Sequence, residues 1–268
     1  MSLRIQNNVE ALGAWNKLNH TTGETSKSME RLSSGYRINR AADDAAGLGI
    51  SEKMRGQIRG LAQAQRNVQD GVSLVQTAEG SLDEVHSMLQ RVRELAVQYK
   101  NGSLSQASRD AIQTEVNQLA SEVERIGAAA EFNGIKLLNA TGSVTFQVGA
   151  NDGETISVAT ISLGSTVGAT FASLTQAGTA DISEIDAAIT AVSSARATFG
   201  AVQNRMDHAL GAAATAQENL VAAESRIRDV DMAEEMVKFT KNQILSQAGT
   251  AMLAQANQAP QGVLSLLR

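Results

Sequence analysis

The sequence contains no cysteine, a single proline and few aromatic residues, and each shortage excludes something. Without cysteine the chain cannot form a disulfide framework, a thiolate zinc site, an iron–sulfur cluster or a cysteine nucleophile. One proline in 268 residues is far below the usual share of about 5%, which favours long uninterrupted helices. Aromatic residues make up 3% of the chain, too few for a wide globular core.

The charge balance and the lack of long apolar runs exclude two further classes. The formal net charge is −5 and the pI is about 5.3, so we expect no nucleic-acid partner. No apolar run approaches the roughly 18 residues of a membrane span, so we expect no membrane insertion. The first residues, MSLRIQNN, turn polar at once, and we expect no cleaved signal peptide.

Two long apolar stripes dominate the chain and predict two long helices. Both have a mean spacing of about 3.5 residues, which is typical of coiled-coil interfaces. Helices of this length would extend about 70 Å, so we expect rods that pack on each other. The first stripe consists of Ile50, Met54, Ile58, Leu61, Ala64, Val68, Val72, Val75, Ala78, Leu82, Val85, Leu89, Val92 and Ala96. The second consists of Ile185, Ile189, Val192, Ala195, Phe199, Val202, Met206, Ala209, Ala213, Ala216, Leu220, Ala223, Ile227 and Val230.

A third, shorter helix is predicted between these two. Its apolar residues run from Ile112 to Ala130, and the segment KNGSLS before it carries the glycine and serines of a reversal. Ser105 or Ser108 is expected to cap this helix. The first rod and the third helix would therefore form an antiparallel helical hairpin, with the second rod beside it.

The region 139–180 has a different pattern. Alternating apolar residues on both sides of Asn151-Asp152-Gly153 predict a β-hairpin, and the stretch that follows, up to Thr179, is interpreted as a surface loop.

The two ends of the chain, residues 3–36 and 232–267, are amphipathic, and neither can bury its apolar face alone. We expect each to need a partner, which is the other end, neighbouring copies of the chain, or both. Residues 37–49 are interpreted as a connector, with Asp43 or Asp44 capping the next helix. Pro260 is expected to end one helix and begin a short last piece.

No catalytic constellation is visible. The motifs HExxH, GxxxxGK[ST], GxSxG and GxGxxG are all absent, and the three histidines lie far apart. We therefore predict no enzyme activity, with no catalytic, cofactor-binding or metal-binding residues and no cofactor.

Several long segments resemble bacterial flagellin. In the N-terminal half they are LSSGYRINRAADDAAGLGISEKMRGQIRGL (32–61), QRNVQDGVSLVQTAEGSLDEVHSMLQRVRELAVQ (65–98) and EFNGIKLLN (131–139). The C-terminal segment 222–268 is also similar, from AAESRIRDVDMAEEM to QAPQGVLSLLR. The resemblance covers about 1–140 and 182–268, and the large outer domains of many flagellins are missing.

The resemblance implies a mainly α fold. Long antiparallel coiled-coil-like helical rods would carry a small β-hairpin, and the terminal helices would form an inner coiled coil. Residues 1–43 with 229–268 would form a discontinuous inner terminal-helix domain. Residues 44–228 would form a rod domain, with the β-hairpin region at about 140–180 and the long C-terminal helix.

The resemblance also implies the function: a structural subunit that polymerises helically into the bacterial flagellar filament for swimming motility. It would be extracellular, exported through the flagellar type III apparatus without a cleaved signal. Besides copies of itself, its implied partners are an export chaperone, the filament cap protein and hook-junction proteins. The expected filament inner contacts are Ile5, Leu12, Trp15, Leu32, Ile244, Leu253, Leu264 and Leu267.

A second role is implied by QRVRELAVQ, which resembles the flagellin segment that Toll-like receptor 5 recognises. The matching residues are Arg91, Leu95 and Glu115. Since Arg91 and Leu95 are four residues apart on a helix, one exposed face is expected to present both.

Three alternatives stay open at the level of sequence. The first is a hook–filament junction protein of the flagellin-like type. The second is a flagellin with an enzymatic insertion, for which the middle of the chain is short and lacks HExxH. The third is a coiled-coil tether without a flagellar role.

Overall fold

The computed structural model of the chain describes residues 8–163 and 182–266, with the backbone alone for 259–266. Its helices are α1 (Val9–Ser34), α2 (Ala45–Tyr99), α3 (Gln106–Ala129), α4 (Ile182–Arg228) and α5 (Met232–Leu266). Its strands are β1 (Glu131–Phe132), β2 (Ile135–Lys136), β3 (Gly142–Gln147) and β4 (Thr155–Thr160). The predicted mainly α fold with long helices and a small β-hairpin is confirmed.

The chain divides into two compact units. The terminal unit consists of Met1–Gly56 with Leu220–Arg268, and the central unit consists of Gln57–Asn219. Both α2 and α4 contribute residues to each unit. These units divide the chain at residues 56 and 220, and the expected domains with bounds at 43 and 229 stay a prediction. The predicted loop up to Thr179 lies outside the described residues from 164 onwards.

The apolar stripes of α2, α3 and α4 form the core of the central unit. Along α2 the buried residues keep heptad spacing from Leu61 to Ala96, and α4 contributes Ile185, Val192 and Phe199. Polar contacts show that α2 and α4 are antiparallel, since Arg93 pairs with Asp186 near one end. At the other end Gln65 donates a hydrogen bond to Gln217.

Two of the differences between the observed and the predicted α2 stripe concern packing. Ile50 is 50% exposed and does not belong to the buried stripe. Gly71 is buried where the prediction placed Val72, which is half-buried. A Cβ atom on Gly71 would lie 2.8 Å from Cε of Met206 and 3.3 Å from Cγ of Phe146. Because Gly71 has no side chain, Met206 and strand β3 can pack directly against the backbone of α2.

The helical hairpin of α2 and α3 is confirmed, and its turn has the predicted cap. Ser105 Oγ accepts a hydrogen bond from the Ser108 backbone N–H, so Ser105 is the cap of α3 and Ser108 is not. Beside this turn the Arg109 guanidinium lies 5.7 Å from the centroid of the Tyr99 ring. This cation–π contact packs the start of α3 against the end of α2.

Strands β3 and β4 pair antiparallel around the predicted Asn-Asp-Gly turn, with Val144 opposite Val158. Ile156 and Val158 of β4 are buried in the core of the central unit. A second, smaller hairpin, β1–β2, was not predicted. Its turn residues Asn133 and Gly134 both have positive φ, 49° and 79°, as a two-residue type I′ turn requires.

In the terminal unit α1 and α5 pack antiparallel. Each helix faces the other with a heptad-spaced stripe of mostly small or polar residues, which we call the terminal-helix interface. The α1 stripe consists of Ala11, Ala14, Leu18, Thr21, Thr25, Ser28 and Leu32. The α5 stripe consists of Glu235, Phe239, Asn242, Ser246, Gly249, Leu253 and Ala256.

Helix α5 continues through Pro260 to Leu266, so the predicted helix end at this proline is wrong. A proline removes one backbone N–H from a helix but does not itself stop the chain from continuing it. The carbonyl four residues earlier, that of Ala256, therefore receives no hydrogen bond from residue 260.

Candidate assembly surface

The junction that leads into the terminal helices is held by backbone and charged contacts within the terminal unit. Tyr36 and Asp229 form an isolated antiparallel bridge. The Arg228 guanidinium lies 4.8 Å from the centroid of the Tyr36 ring and 2.6 Å from the Glu52 carboxylate. Hydrogen bonding to Arg228 is the main reason why the pKa of Glu52 is lowered.

The connector before α2 is ordered by two neighbouring aspartates with different roles. Asp44 Oδ1 accepts from the Gly47 N–H and so caps α2. Asp43 Oδ2 accepts from the backbone N–H groups of Arg40 and Asn39, and its other oxygen lies 3.2 Å from Lys27 Nζ. These contacts lower the pKa of Asp43, the backbone bond from Arg40 most of all. Of the two predicted capping candidates, Asp44 is the cap.

The terminal-helix interface buries little bulk, and most of the large apolar residues of α1 and α5 lie outside it. The structure leaves Leu12 64%, Trp15 53% and Ile244 60% exposed. Four of the exposed residues, Val9, Leu12, Trp15 and Met29, are on α1. The others, on α5, are Met232, Met236, Val237, Ile244, Leu245 and Met252. We call these ten residues the exposed apolar set.

Two concave features accompany this set. One is an open groove of about 800 Å³ between α1 and α5, with Leu18, Leu245 and Met252 among its lining residues. The other is a shallow depression of about 480 Å³ on α5 itself, lined mainly by the apolar parts of Met236, Val237 and Ile244. Such contiguous apolar surface is typical of a protein–protein contact.

The predicted inner contacts divide into three groups. Leu12, Trp15 and Ile244 are exposed, as an intermolecular contact requires. Leu32 and Leu253 are half-buried in the terminal-helix interface and already have an intrachain partner. The last group, Ile5, Leu264 and Leu267, lies outside the described residues or side chains.

The three predicted receptor-recognition residues are not equivalent. The Arg91 guanidinium bonds Glu115 at 2.9 Å and Glu94 at 3.1 Å, on the exposed surface of α2 and α3. Its pKa is raised, mainly by the hydrogen bond to Glu115. Leu95 is only 2% exposed, so the expectation that one exposed face presents both Arg91 and Leu95 is wrong. Four residues advance a helix by about 400°, which is one full turn and a further 40°. This further rotation places Arg91 at the edge of the core and Leu95 inside it.

Among the described residues, 8–163 and 182–266, no group of three or more histidine or carboxylate side chains is arranged to hold a metal ion. In the same part of the chain no helix is long and apolar enough to cross a membrane.

The fold and this surface define a class: a helical structural subunit whose paired terminal helices carry apolar side chains that the chain itself leaves uncovered. Two family models match, the bacterial flagellin N-terminal helical region over residues 5–143 and the C-terminal helical region over 182–267. The chain belongs to the bacterial flagellin family.

Individual relatives agree along the whole length. The flagellin of Bacillus subtilis (strain 168) is 49% identical, covering 99% of this chain and 100% of that protein. The flagellin of Halalkalibacterium halodurans is 53% identical, covering 98% and 99%. The crystal structure of Bacillus cereus flagellin is similar with 33% identity and a TM-score of 0.51, covering 55% of this chain and 88% of that one.

A solved structure from Vibrio parahaemolyticus, described as that of a putative flagellar hook-associated protein, has a TM-score of 0.57 at 17% identity. It covers 70% of this chain and 98% of that one, and this likeness shows the fold alone. Family membership identifies the chain as a structural subunit of the flagellar filament, and therefore as an extracellular component of the flagellum.

Proposed function

We propose that the exposed apolar set is the surface through which copies of this chain contact one another in the filament. The filament formed in this way serves swimming motility. The observation that carries the proposal is the inverted distribution of side chains in the terminal unit. Small and polar residues face the intrachain partner, whereas Leu12, Trp15 and Ile244 face outwards. An isolated subunit gains nothing from this arrangement, because large apolar side chains stabilise only when they are removed from water.

The magnitude is sufficient for assembly. Fully burying a large apolar side chain contributes about 1.5–3 kcal/mol, and each subunit has ten such residues in the exposed apolar set. Even partial burial repeated along a polymer offsets the entropy that association costs. In this arrangement residues 1–43 with 229–268 form the inner layer of the filament, and Ile5, Leu264 and Leu267 belong to the same contact.

Charge placed in the middle of the exposed apolar set tests this proposal. We expect Ile244→Asp to raise the critical concentration for filament growth at least about tenfold, since a buried unpaired carboxylate costs several kcal/mol. The matched control is Gln243→Asp, which adds the same charge at a neighbouring exposed polar position of α5. Sedimentation of polymer against monomer measures both variants. Equal critical concentrations for the two variants would contradict the proposal.

We also propose that the chain is a ligand of Toll-like receptor 5, with Arg91 and Glu115 in the contact and Leu95 supporting α2 from the core. The support is the exposed, ion-paired geometry of Arg91 and Glu115. We expect Arg91→Ala to weaken receptor activation by the monomer, measured in reporter cells. Arg125→Ala is the control, since Arg125 is likewise exposed and paired with a neighbouring glutamate. Unchanged signalling by Arg91→Ala would count against this role.

Finally, we propose that the chain leaves the cell through the flagellar type III apparatus without cleavage of a leader. An export chaperone would cover the apolar C-terminal region beforehand, and the cap and hook-junction proteins would meet the subunit in the filament. Exposed Met236, Val237 and Ile244 support the chaperone contact, because they need covering before assembly. Mass spectrometry of exported protein tests the route, and an exported form shortened at its N-terminus would contradict it.

A further inference from the structure

The terminal-helix interface does not by itself define how far α1 is shifted along α5. Its contact stripes consist mainly of small and polar residues with heptad spacing, so a shift of seven residues places similar side chains opposite each other. At one end Arg31 lies 3.9 Å from Glu235, a distance at the limit of an ion pair. The Tyr36–Asp229 bridge aligns the pair at this end, so the opposite end needs a contact of its own that only one alignment can make.

Asn8 makes such a contact at the other end of the interface. Its side-chain Oδ1 accepts a hydrogen bond of 3.0 Å from the Ala11 N–H and so caps α1. Its Nδ2 donates a hydrogen bond of 2.7 Å to the backbone carbonyl of Ala256 on α5. The capping bond fixes which end of the amide carries the oxygen, so the nitrogen necessarily points to α5.

The carbonyl that Asn8 binds is special within α5. In an α-helix the carbonyl of residue 256 accepts from the N–H of residue 260. Residue 260 is the only proline of the chain, and proline has no backbone N–H. Asn8 thus supplies the hydrogen bond that Pro260 cannot. A shift of seven residues would bring Asn8 to the Gly249 carbonyl instead, for which Leu253 has an N–H.

We propose that Asn8 is a positioning residue that sets the register of α1 against α5 at the end of the pair away from the junction, by binding the carbonyl freed by Pro260. The proline then marks one place along a continuous helix, and the asparagine recognises that place. This inference concerns contacts within one chain. It does not depend on which residues of the exposed apolar set touch neighbouring subunits.

The absence of cysteine makes the register directly measurable. A Cβ atom on residue 249 would lie 3.8 Å from Cβ of Leu18, the usual separation in a disulfide. The pair Leu18→Cys with Gly249→Cys therefore reports the register seen here. The pair Leu18→Cys with Asn242→Cys reports a slip of seven residues, about 10 Å along the helix. Both pairs are oxidised in filaments of the full-length chain, and non-reducing electrophoresis separates intrachain from interchain products.

The deciding variant is Asn8→Asp, because aspartate still caps α1 but has no N–H to donate to Ala256. We expect it to lower the ratio of the 18–249 disulfide to the 18–242 disulfide about tenfold. Adding Pro260→Ala should recover most of that loss, because residue 260 then has an N–H for the Ala256 carbonyl. This rescue separates positioning from a general loss of helix stability.

Each outcome decides the question. An unchanged ratio in Asn8→Asp would overturn the proposal, as would an equal loss with and without Pro260→Ala. The Asn8→Asp variant could form neither of the two disulfides, or no filament at all. In that case recovery of the 18–249 disulfide in the double variant supports the proposal, and its continued absence overturns the proposal. A loss of intermolecular contacts alone gives a different result from a loss of register. Monomers of Ile244→Asp should still form the 18–249 disulfide in preference to the 18–242 disulfide.

Discussion

In the central unit most large apolar side chains of α2 and α4 face inwards, whereas in the terminal unit most of those on α1 and α5 face outwards. Leu89 is 1% exposed and Met206 fully buried, but Leu12 and Ile244 are 64% and 60% exposed. Both units use the same heptad spacing of contact residues. The periodicity is thus common to both, and the size of the residues on it differs. A unit whose large apolar residues lie on the contact stripe buries them within the chain. A unit whose large apolar residues lie off the stripe needs neighbouring subunits to bury them.

The largest effect should follow from shortening the terminal unit. We expect deletion of residues 259–268 to abolish filament growth, because α5 would lose its last segment and with it the intersubunit contacts that we propose for Leu264 and Leu267. The central unit should keep its helices, since its core lies wholly within 57–219. Electron microscopy for filaments and circular dichroism for helix content check the two halves of this prediction. Normal filaments from the truncated chain would remove the distinction between the units.

The same substitution in each unit should have opposite consequences. Leu89→Ala is expected to lower the free energy of unfolding by about 2–5 kcal/mol, as for other core leucines. Leu12→Ala should change the unfolding of the monomer by no more than about 0.5 kcal/mol but weaken filament assembly. Denaturant unfolding and sedimentation provide the two readouts. The comparison breaks down if Leu12→Ala destabilises the monomer as much as Leu89→Ala does.

Two glycines of α2 sharpen the comparison within the central unit. Gly71→Leu should lower the free energy of unfolding by about 1–3 kcal/mol through overpacking, because Met206 and Phe146 occupy the space beside Gly71. Apart from the nearby backbone of α2 itself, Gly80 has no atom within 4 Å of the position that a Cβ would take. Gly80→Ala should therefore stabilise the helix by about 0.5–1 kcal/mol. Thermal unfolding distinguishes these opposite signs, and equal shifts would show that Gly71 is not a packing position.

How much of the fold the sequence predicted follows from the same difference between the units. The stripes of α2 and α4 were predictable because their partners are in the same unit, so periodicity coincides with burial. In α1 the expected contact residues Leu12 and Trp15 are exposed. Apolar periodicity identifies a face that needs covering but does not say which molecule covers it. The intrachain partner, α5, instead packs against the stripe of α1 that consists of Leu18 and mostly small or polar residues.

The remaining differences have local causes. The β1–β2 hairpin was missed although Asn133-Gly134 is a strong two-residue turn signal, since its strands are only two residues long. Leu95 was expected beside Arg91 on the surface because i,i+4 residues are neighbours, but the edge of the core passes between them. Pro260 was expected to end a helix, and the bond from Asn8 to Ala256 depends on a residue 248 positions away, beyond any local pattern.

The smallest expected effect concerns the connector between α1 and α2. The pKa of Asp43 is lowered, chiefly by the backbone hydrogen bond from Arg40, with Lys27 and Asn39 contributing. A carboxylate whose folded pKa is below its unfolded value contributes stability that is full above the unfolded pKa, about 3.9. That contribution is lost as the pH falls through the lower folded pKa. We therefore expect the protection factors of the Asn39 and Arg40 amides against hydrogen exchange to fall on acidification below about pH 4, and Asp43→Asn to remove this pH dependence. Asp152→Asn, at an exposed turn of the central unit, should leave it intact, and an unaltered acid response in Asp43→Asn would assign the transition to another carboxylate of the terminal unit.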